Sequence, residues 1–245
     1  MTEKHQLDDT FGYQQVSNVE REQRIRDVFN KVAPRYDLMN DVMSFGIHRL
    51  WKHRFTQRVK PQKGQTVVDL AGGTGDIALK LAGSGHNTLL IDPSLAMMRA
   101  GNAPQATNLR CIASTGENLA LQDNSVDVLT IAFGIRNMTR METALTEIVR
   151  VLKPGGRYWC LEFSHPHWLI KPFYDFHSFY IIPRLGAWIS RQPTAYTYLV
   201  ESIRRFPNQQ ELCHIMEQAG LEQVSYHNLS FGIACIHSGV KPLKG

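Results

Sequence analysis

The sequence predicts an α/β protein with an open, mostly parallel seven-stranded sheet that closes in an antiparallel hairpin. Three observations carry that expectation. Between residues 64 and 163 short apolar runs alternate with helical patterns, the rhythm of a parallel sheet. Within it, Val67-Val68-Asp69-Leu70 runs into the glycine-rich turn Ala71-Gly72-Gly73-Thr74-Gly75-Asp76, and Ile77, Leu79, Leu81 and Ala82 then follow a helical period. Near the C-terminal end, Val224–Tyr226 and Ile233–Ile236 read as two closing strands with no helix between them.

Taken in order, residues 1–16 are polar and expected to be mobile. Ser17-x-x-Glu20 matches a capping box, and Ile25, Val28, Phe29 and Val32 recur at helical spacing, so a first helix runs to about Ala33. Ile47, Leu50, Trp51, Phe55 and Val59 mark a second helix. Its other face carries Arg49, Lys52, Arg54, Arg58 and Lys60, and no acid occurs between Asp41 and Asp69. That face is either a solvated surface or a rest for anionic lipid headgroups. The five parallel strands are expected at 66–70, 87–91, 109–113, 126–132 and 157–163. A helix from Met141 to Leu152 is stopped by Lys153-Pro154-Gly155-Gly156. Residues 168–206 break the rhythm. Trp168, Leu169, Phe173, Tyr174, Phe176, Phe179, Tyr180, Leu185, Trp188 and Ile189 predict either a helical lid with an apolar slot or a two-helix cap with a dry core. Leu212, Ile215, Met216 and Ala219 give a last helix, ended by Gly220.

Bulk properties narrow the function. A formal charge of +5 and a pI near 9.1 suit an anionic surface. No stacking-aromatic motif supports RNA, so no nucleic-acid partner is expected. Cys111, Cys160, Cys213 and Cys235 are dispersed without a C-x-x-C, so neither a metal site nor a redox pair is signalled, and they read as small core residues. There is no secretion signal and no apolar run of ~18 residues, the length a spanning helix needs. The expected location is cytoplasmic.

The glycine turn is the chemical centre of the reading. Glycine lets a ligand approach the backbone, and the helix beyond offers free N–H groups. The spacing is neither G-x-G-x-x-G nor G-x-x-x-x-G-K-[ST]. It resembles the D-x-[GA]-x-G-x-G turn of class I (Rossmann-like) S-adenosylmethionine (SAM) methyltransferases. Asp92 ends the second strand, where a carboxylate accepts from both ribose hydroxyls; the bland alternative is a helix cap. The loops Ser114–Glu117, Phe133–Thr139 and Glu162–His165 should line the same crevice.

Longer segments identify a closer resemblance. Val32-Ala33-x-x-Tyr36-Asp37-x-Met39-Asn40-Asp41-x-Met43-Ser44-x-Gly46-x-His48-Arg49-x-Trp51-Lys52, Phe133-Gly134-Ile135-Arg136-Asn137-x-Thr139 and Ala195-Tyr196-x-Tyr198-Leu199-x-Glu201-Ser202-Ile203 are similar to the ubiquinone/menaquinone biosynthesis C-methyltransferases. The resemblance runs from about Phe29 to Gly239. It implies methylation of a ring carbon on a polyprenyl quinol, 2-polyprenyl-6-methoxy-1,4-benzoquinol, demethylmenaquinol or both, with SAM and no metal. It implies an N-terminal arm and helical cap over residues 1–60, and a methyltransferase domain over 61–245 with a lid insertion at about 165–206. Cofactor contacts are implied at Asp69, Ala71, Gly72, Gly73, Thr74, Gly75, Asp92, Thr115, Gly116 and Ala132. Thr115 stands where Asn or Asp is usual, Ala132 where Ser is common, and Gln192 where an Asp-led stretch is usual. Arg136 is the expected phenolate partner, with a water held by Arg136, Asn137 and Tyr36 as proton acceptor; the competing role for Arg136 is an ion pair with Glu162. Asn40, His48, Trp51 and Phe163 are the substrate-side candidates. The quinol tail implies peripheral contact with the inner face of a membrane. A quinone-biosynthesis complex and a homodimer stay open as partners. Another small phenolic substrate, or a weakly active scaffold subunit, is the alternative function.

Overall fold

Seven strands form one sheet, in the order β3-β2-β1-β4-β5-β7-β6, where β1 is Thr66–Leu70, β2 Asn87–Ile91, β3 Leu109–Ile112, β4 Val126–Ala132, β5 Leu152–Phe163, β6 Glu222–Leu229 and β7 Ala234–Val240. The computed structural model describes residues 10–33, 36–82, 85–181 and 193–243. Leu185, Trp188, Ile189 and Gln192, singled out above, lie outside the described residues. The first five strands are parallel, and β7 runs antiparallel to both β5 and β6. Leu70 pairs with Ile91 and Asp69 with Thr130, so β1, β2 and β4 end level with one another. Strand order reverses between β1 and β4, the place where an open α/β sheet leaves a crevice.

The helices that position this crevice are α1 (Asn18–Val32), α2 (Tyr36–Ser44), α3 (Ile47–Val59), α4 (Asp76–Ala82), α5 (Leu95–Ala100), α6 (Met141–Val151), α7 (Lys171–Phe176), α8 (Pro193–Arg205) and α9 (Gln209–Gln218). Strand alternation divides the core in two. Val67, Val128 and Leu161 face Phe55 and Val59 of α3 and Ile77 and Leu81 of α4. Val68, Leu129 and Ile131 face Leu145 and Ile148 of α6 and Leu212 and Met216 of α9. Each such fully buried side chain contributes about 1.5–3 kcal/mol of transfer free energy.

Several expectations shift. Helix α6 does stop before Lys153-Pro154-Gly155-Gly156, but that turn belongs to β5, which starts at Leu152 rather than at 157. Gly155 N–H donates to Lys241 O and Lys241 N–H donates to Gly156 O, both at 2.9 Å, which ties the turn into the sheet. Strand β6 outruns its sequence signal because Glu222, Gln223, His227 and Asn228 are exposed polar residues of an edge strand, and β7 continues past Ile236 through the polar His237 and Ser238. Cys160 and Cys235 are buried as expected, but Cys111 is exposed and Cys213 only half-buried.

The N-terminal segment is held down from Thr10 onward. Thr10–Phe11 pairs with Gln14–Gln15, Tyr13 N–H donates to Glu201 Oε2 at 3.0 Å, and Arg205 donates to Gly12 O at 2.9 Å. Ser17 caps α1 by accepting from Glu20 N–H. Val32 of α1 and Tyr196, Leu199, Val200 and Ile203 of α8 then pack together, joined by Phe29 and Tyr36.

Candidate active site

A cavity of about 360 Å³ opens at the C-terminal ends of β1 to β4. Leu70, Ala71 and Gly73 line it from the β1 turn, and Asp92, Pro93, Ser94 and Met97 from the β2 loop and α5. Thr115, Gly116 and Glu117 follow β3; Phe133, Gly134, Asn137, Met138, Thr139 and Arg140 follow β4. Its roof is α1, through Asn18, Val19, Glu22, Ile25, Arg26 and Phe29, with Tyr36 of α2 beside it.

The glycine turn is shaped by its own chain. Gly75 N–H donates to Gly72 O at 2.9 Å, and Gly73 has φ +56°. A Cβ on Gly72 would lie 2.6 Å from Leu90 Cδ1 and 2.7 Å from Asp69 Oδ2, so only glycine fits there. Ala71 (φ +52°) and Phe133 (φ +58°) end neighbouring strands and both face the cavity. Left-handed backbone at non-glycine residues costs about 1–3 kcal/mol and gathers at functional sites.

Asp92 is the buried carboxylate of the cavity. Oδ2 accepts from Gly73 N–H at 2.9 Å and Oδ1 from Ser94 N–H at 2.8 Å. Burial pushes its carboxyl up, and those two N–H groups pull it back. Each oxygen keeps a lone pair for a diol, so the residues fit a nucleoside ribose. Ser94 also caps α5 and donates to Asn30 Oδ1 at 2.8 Å, fastening the far end of α1. The near end is fastened by Arg21, which is buried and donates to Thr10 O at 2.8 Å, Met138 O at 2.6 Å and Arg136 O at 3.2 Å. Glu117 Oε1 accepts from Thr139 N–H at 2.7 Å and joins the β3 and β4 loops.

Of the cofactor candidates, Ala71, Gly73, Asp92, Thr115 and Gly116 line the cavity; Asp69, Gly72, Thr74, Gly75 and Ala132 stand outside its lining. Asp69 holds the framework instead. Its Oδ1 accepts from Thr130 Oγ1 at 2.9 Å and Oδ2 from Ala78 N–H at 3.0 Å, and burial pushes its carboxyl up to about 7.

Asn137 and Tyr36 line the cavity, but Arg136 does not. Arg136 is buried, with Nη1 2.6 Å from Glu162 Oε1 and 2.7 Å from Phe133 O, and its guanidinium lies 5.4 Å from the Phe163 ring. The ion pair weighed against its catalytic role is therefore formed. Burial pushes Glu162 up and the guanidinium opposes that. The four substrate candidates also stand outside the lining. Trp51 and Phe163 back the wall, with rings 6.2 Å and 4.7 Å from that of Phe133. Ser44 Oγ bonds both His48 Nδ1 (2.8 Å) and Asn40 O (2.8 Å), and burial beside Lys52 pushes His48 down.

Among the described residues, none of 164–206 lines this cavity, whose roof is α1. The Glu162–His165 loop, expected to line the crevice, is absent from the lining: Glu162 bonds Arg136 and His165 Nε2 lies 3.0 Å from Phe206 O. Lys52 is buried against Asp76 at 3.0 Å, because α3 lies flat on α4, so it leaves the exposed basic face.

A family model described as the ubiE/COQ5 methyltransferase family matches residues 17–241. A protein of Rubrivivax gelatinosus named "Ubiquinone/menaquinone biosynthesis C-methyltransferase UbiE" is 57% identical over 241 residues, covering 98% of this chain and 96% of its own. A protein of the same name from Ruegeria sp. is 47% identical over 250 residues, covering 98% of this chain and 100% of its own. Among solved structures, a SAM-dependent methyltransferase from Thermotoga maritima superposes with a TM-score of 0.65 at 21% identity, covering 89% of this chain and 99% of that one, which shows a common fold.

Proposed function

The chain belongs to the ubiE/COQ5 methyltransferase family, and we propose that the cavity under α1 is where it joins SAM to its quinol. It is a SAM-dependent C-methyltransferase of ubiquinone/menaquinone biosynthesis. When bound, SAM supplies an electrophilic methyl group. The observation that carries the site is Asp92: a buried carboxylate, steadied by two backbone N–H groups, facing a cavity bordered by a glycine turn. Asp92 would hold the ribose, Gly73 and Ala71 the amino-acid end, and Thr115 with Met97 and Met138 the adenine.

The quinol must be reduced. A hydroxyl that ionises pushes charge onto the neighbouring ring carbon, whereas a quinone has no such hydroxyl and a poor carbon nucleophile. Asn137 and Tyr36 line the cavity and are the groups we assign to the reacting oxygen. Arg136 lies behind them, a fixed cation held by Glu162 that favours negative charge on that oxygen. The roof of α1 excludes water and the β4 loop positions the ring.

The tail of such a quinol comes from a bilayer. Among the described residues no helix is long and apolar enough to cross one. We infer peripheral contact through Phe45 (71% exposed), Trp168 (71%), Phe173 (77%) and Phe231 (75%). These belong to adjoining segments: the Phe45 ring is 5.0 Å from that of His177, and His167 N–H donates to Phe231 O at 2.8 Å.

The test is direct. Purified protein with labelled SAM and each reduced demethyl-quinol should yield one carbon-methylated product. Arg136→Lys should bind S-adenosylhomocysteine as the wild type does and lose most turnover. Full turnover would remove Arg136 from the reaction.

A further inference from the structure

We propose that Tyr198 is a positioning residue whose hydroxyl fixes the Asn137 amide, so that Asn137 turns an N–H rather than a carbonyl oxygen toward the reacting oxygen of the quinol. This rests on the assignment of Asn137 to that oxygen.

The orientation of the amide follows from its two neighbours. One side of Asn137 faces Phe133 O at 3.4 Å, a group that only accepts, so the atom there is Nδ2. The other side then presents Oδ1, which lies 3.1 Å from Tyr198 Oη. Oδ1 only accepts, so Tyr198 must donate. Burial pushes the Tyr198 hydroxyl up, which keeps its proton in place across the working range. The ring cannot swing away, because Phe11 stacks on it at 4.3 Å with 12° between planes. Phe11 in turn sits in the ribbon that Glu201 and Arg205 hold against α8.

With one N–H toward Phe133 O, the second hydrogen on Nδ2 has no acceptor among the described residues, and Asn137 lines the cavity. An N–H directed at a developing phenolate oxygen strengthens as charge grows, whereas an amide oxygen in its place repels that charge. A donor held by Tyr198 therefore lowers the pKa of the bound quinol and speeds methyl transfer without changing cofactor affinity.

Tyr198→Phe keeps the stack on Phe11 and removes only the hydroxyl. We expect kcat to fall about tenfold, less than the roughly 10²–10³-fold of a deleted oxyanion donor. The ascending limb of the kcat–pH profile should move to higher pH, while KM and S-adenosylhomocysteine affinity stay put and Tm falls only by what one lost hydrogen bond costs. In an Asn137→Ala background the same change should do nothing further. Asn137→Asp still accepts from Tyr198 but offers no N–H, and should be as slow as Asn137→Ala. Wild-type kcat and pH limb in Tyr198→Phe, alongside a slow Asn137→Ala, overturn the role of Tyr198 alone. Wild-type turnover in Asn137→Asp overturns the donor role. Wild-type turnover in Asn137→Ala overturns the underlying assignment of the site.

Discussion

Asp69 gives up its solvation to hold two elements together, and its titration should be visible in stability. Its carboxyl is pushed from 3.8 to about 7 in the folded chain. A group raised on folding stabilises most below its unfolded value, and that contribution is lost as pH rises toward the folded one. Thermal melts should therefore show a loss between about pH 4 and 7 that Asp69→Asn reduces, Asp92 and Glu162 being raised by burial as well. The amide oxygen can still accept from Ala78 N–H, so the variant should fold. The ion pair of Arg136 and Glu162 makes a second residue-level prediction. Removing one partner of a buried pair costs about 3–5 kcal/mol, so Glu162→Ala should lower urea stability by that amount. The sequence favoured the phenolate role for Arg136 over the ion pair with Glu162, and the pair is formed. The segment Ile135–Asn137 is a single 3-10 turn, in which neighbouring side chains diverge, and spacing alone does not reveal which one meets the cavity.

Among the elements, α1 was legible as a helix and illegible as a roof. Ile25 and Phe29 recur as core residues would, and periodicity does not name what a face covers. Its anchors, Arg21 and Asn30, are single polar residues on a charged helix, and only the fold brings them to Met138 O and Ser94. Arg21→Ala should weaken S-adenosylhomocysteine binding and speed amide exchange along α1, read by calorimetry and hydrogen exchange. Unchanged exchange would show that α1 stays closed without Arg21. The glycine turn was read as a place for a ligand to approach the backbone; Gly73 lines the cavity, whereas Gly72 is held to glycine by Leu90 and Asp69. Gly72→Ala should cost about 1–3 kcal/mol, since Asp69, bonded through both oxygens, cannot give way.

For the molecule as a whole, strand count, parallel pairing and the closing hairpin were all legible, because β-branched runs and turns are local signals. That α1 roofs the cavity was not, since it depends on how helices stack over strand ends. The basic face of α3 also weakened on folding: Lys52 is buried against Asp76, and Arg49, though exposed, pairs with Asp41 at 2.6 Å, which leaves Arg54, Arg58 and Lys60 as its other exposed bases. At ~1 kcal/mol per well-placed base, three residues give modest attraction. Vesicles rich in anionic lipid should sediment the protein at low salt and release most of it at high salt. Phe173→Ser and Trp168→Ser should weaken whatever binding salt leaves. Salt-independent binding that both variants retain would place the membrane contact elsewhere.

The last strand, β7, lies between β5 and β6 rather than at the rim. A ribosome making this chain must therefore release residue 240 before the sheet can close. Until then β5 carries a bare, apolar flank, Tyr158 to Phe163, exposed to chaperones and to other nascent chains. A C-terminal deletion through β7 should thus fail by clumping during synthesis rather than by slow loss of activity afterwards.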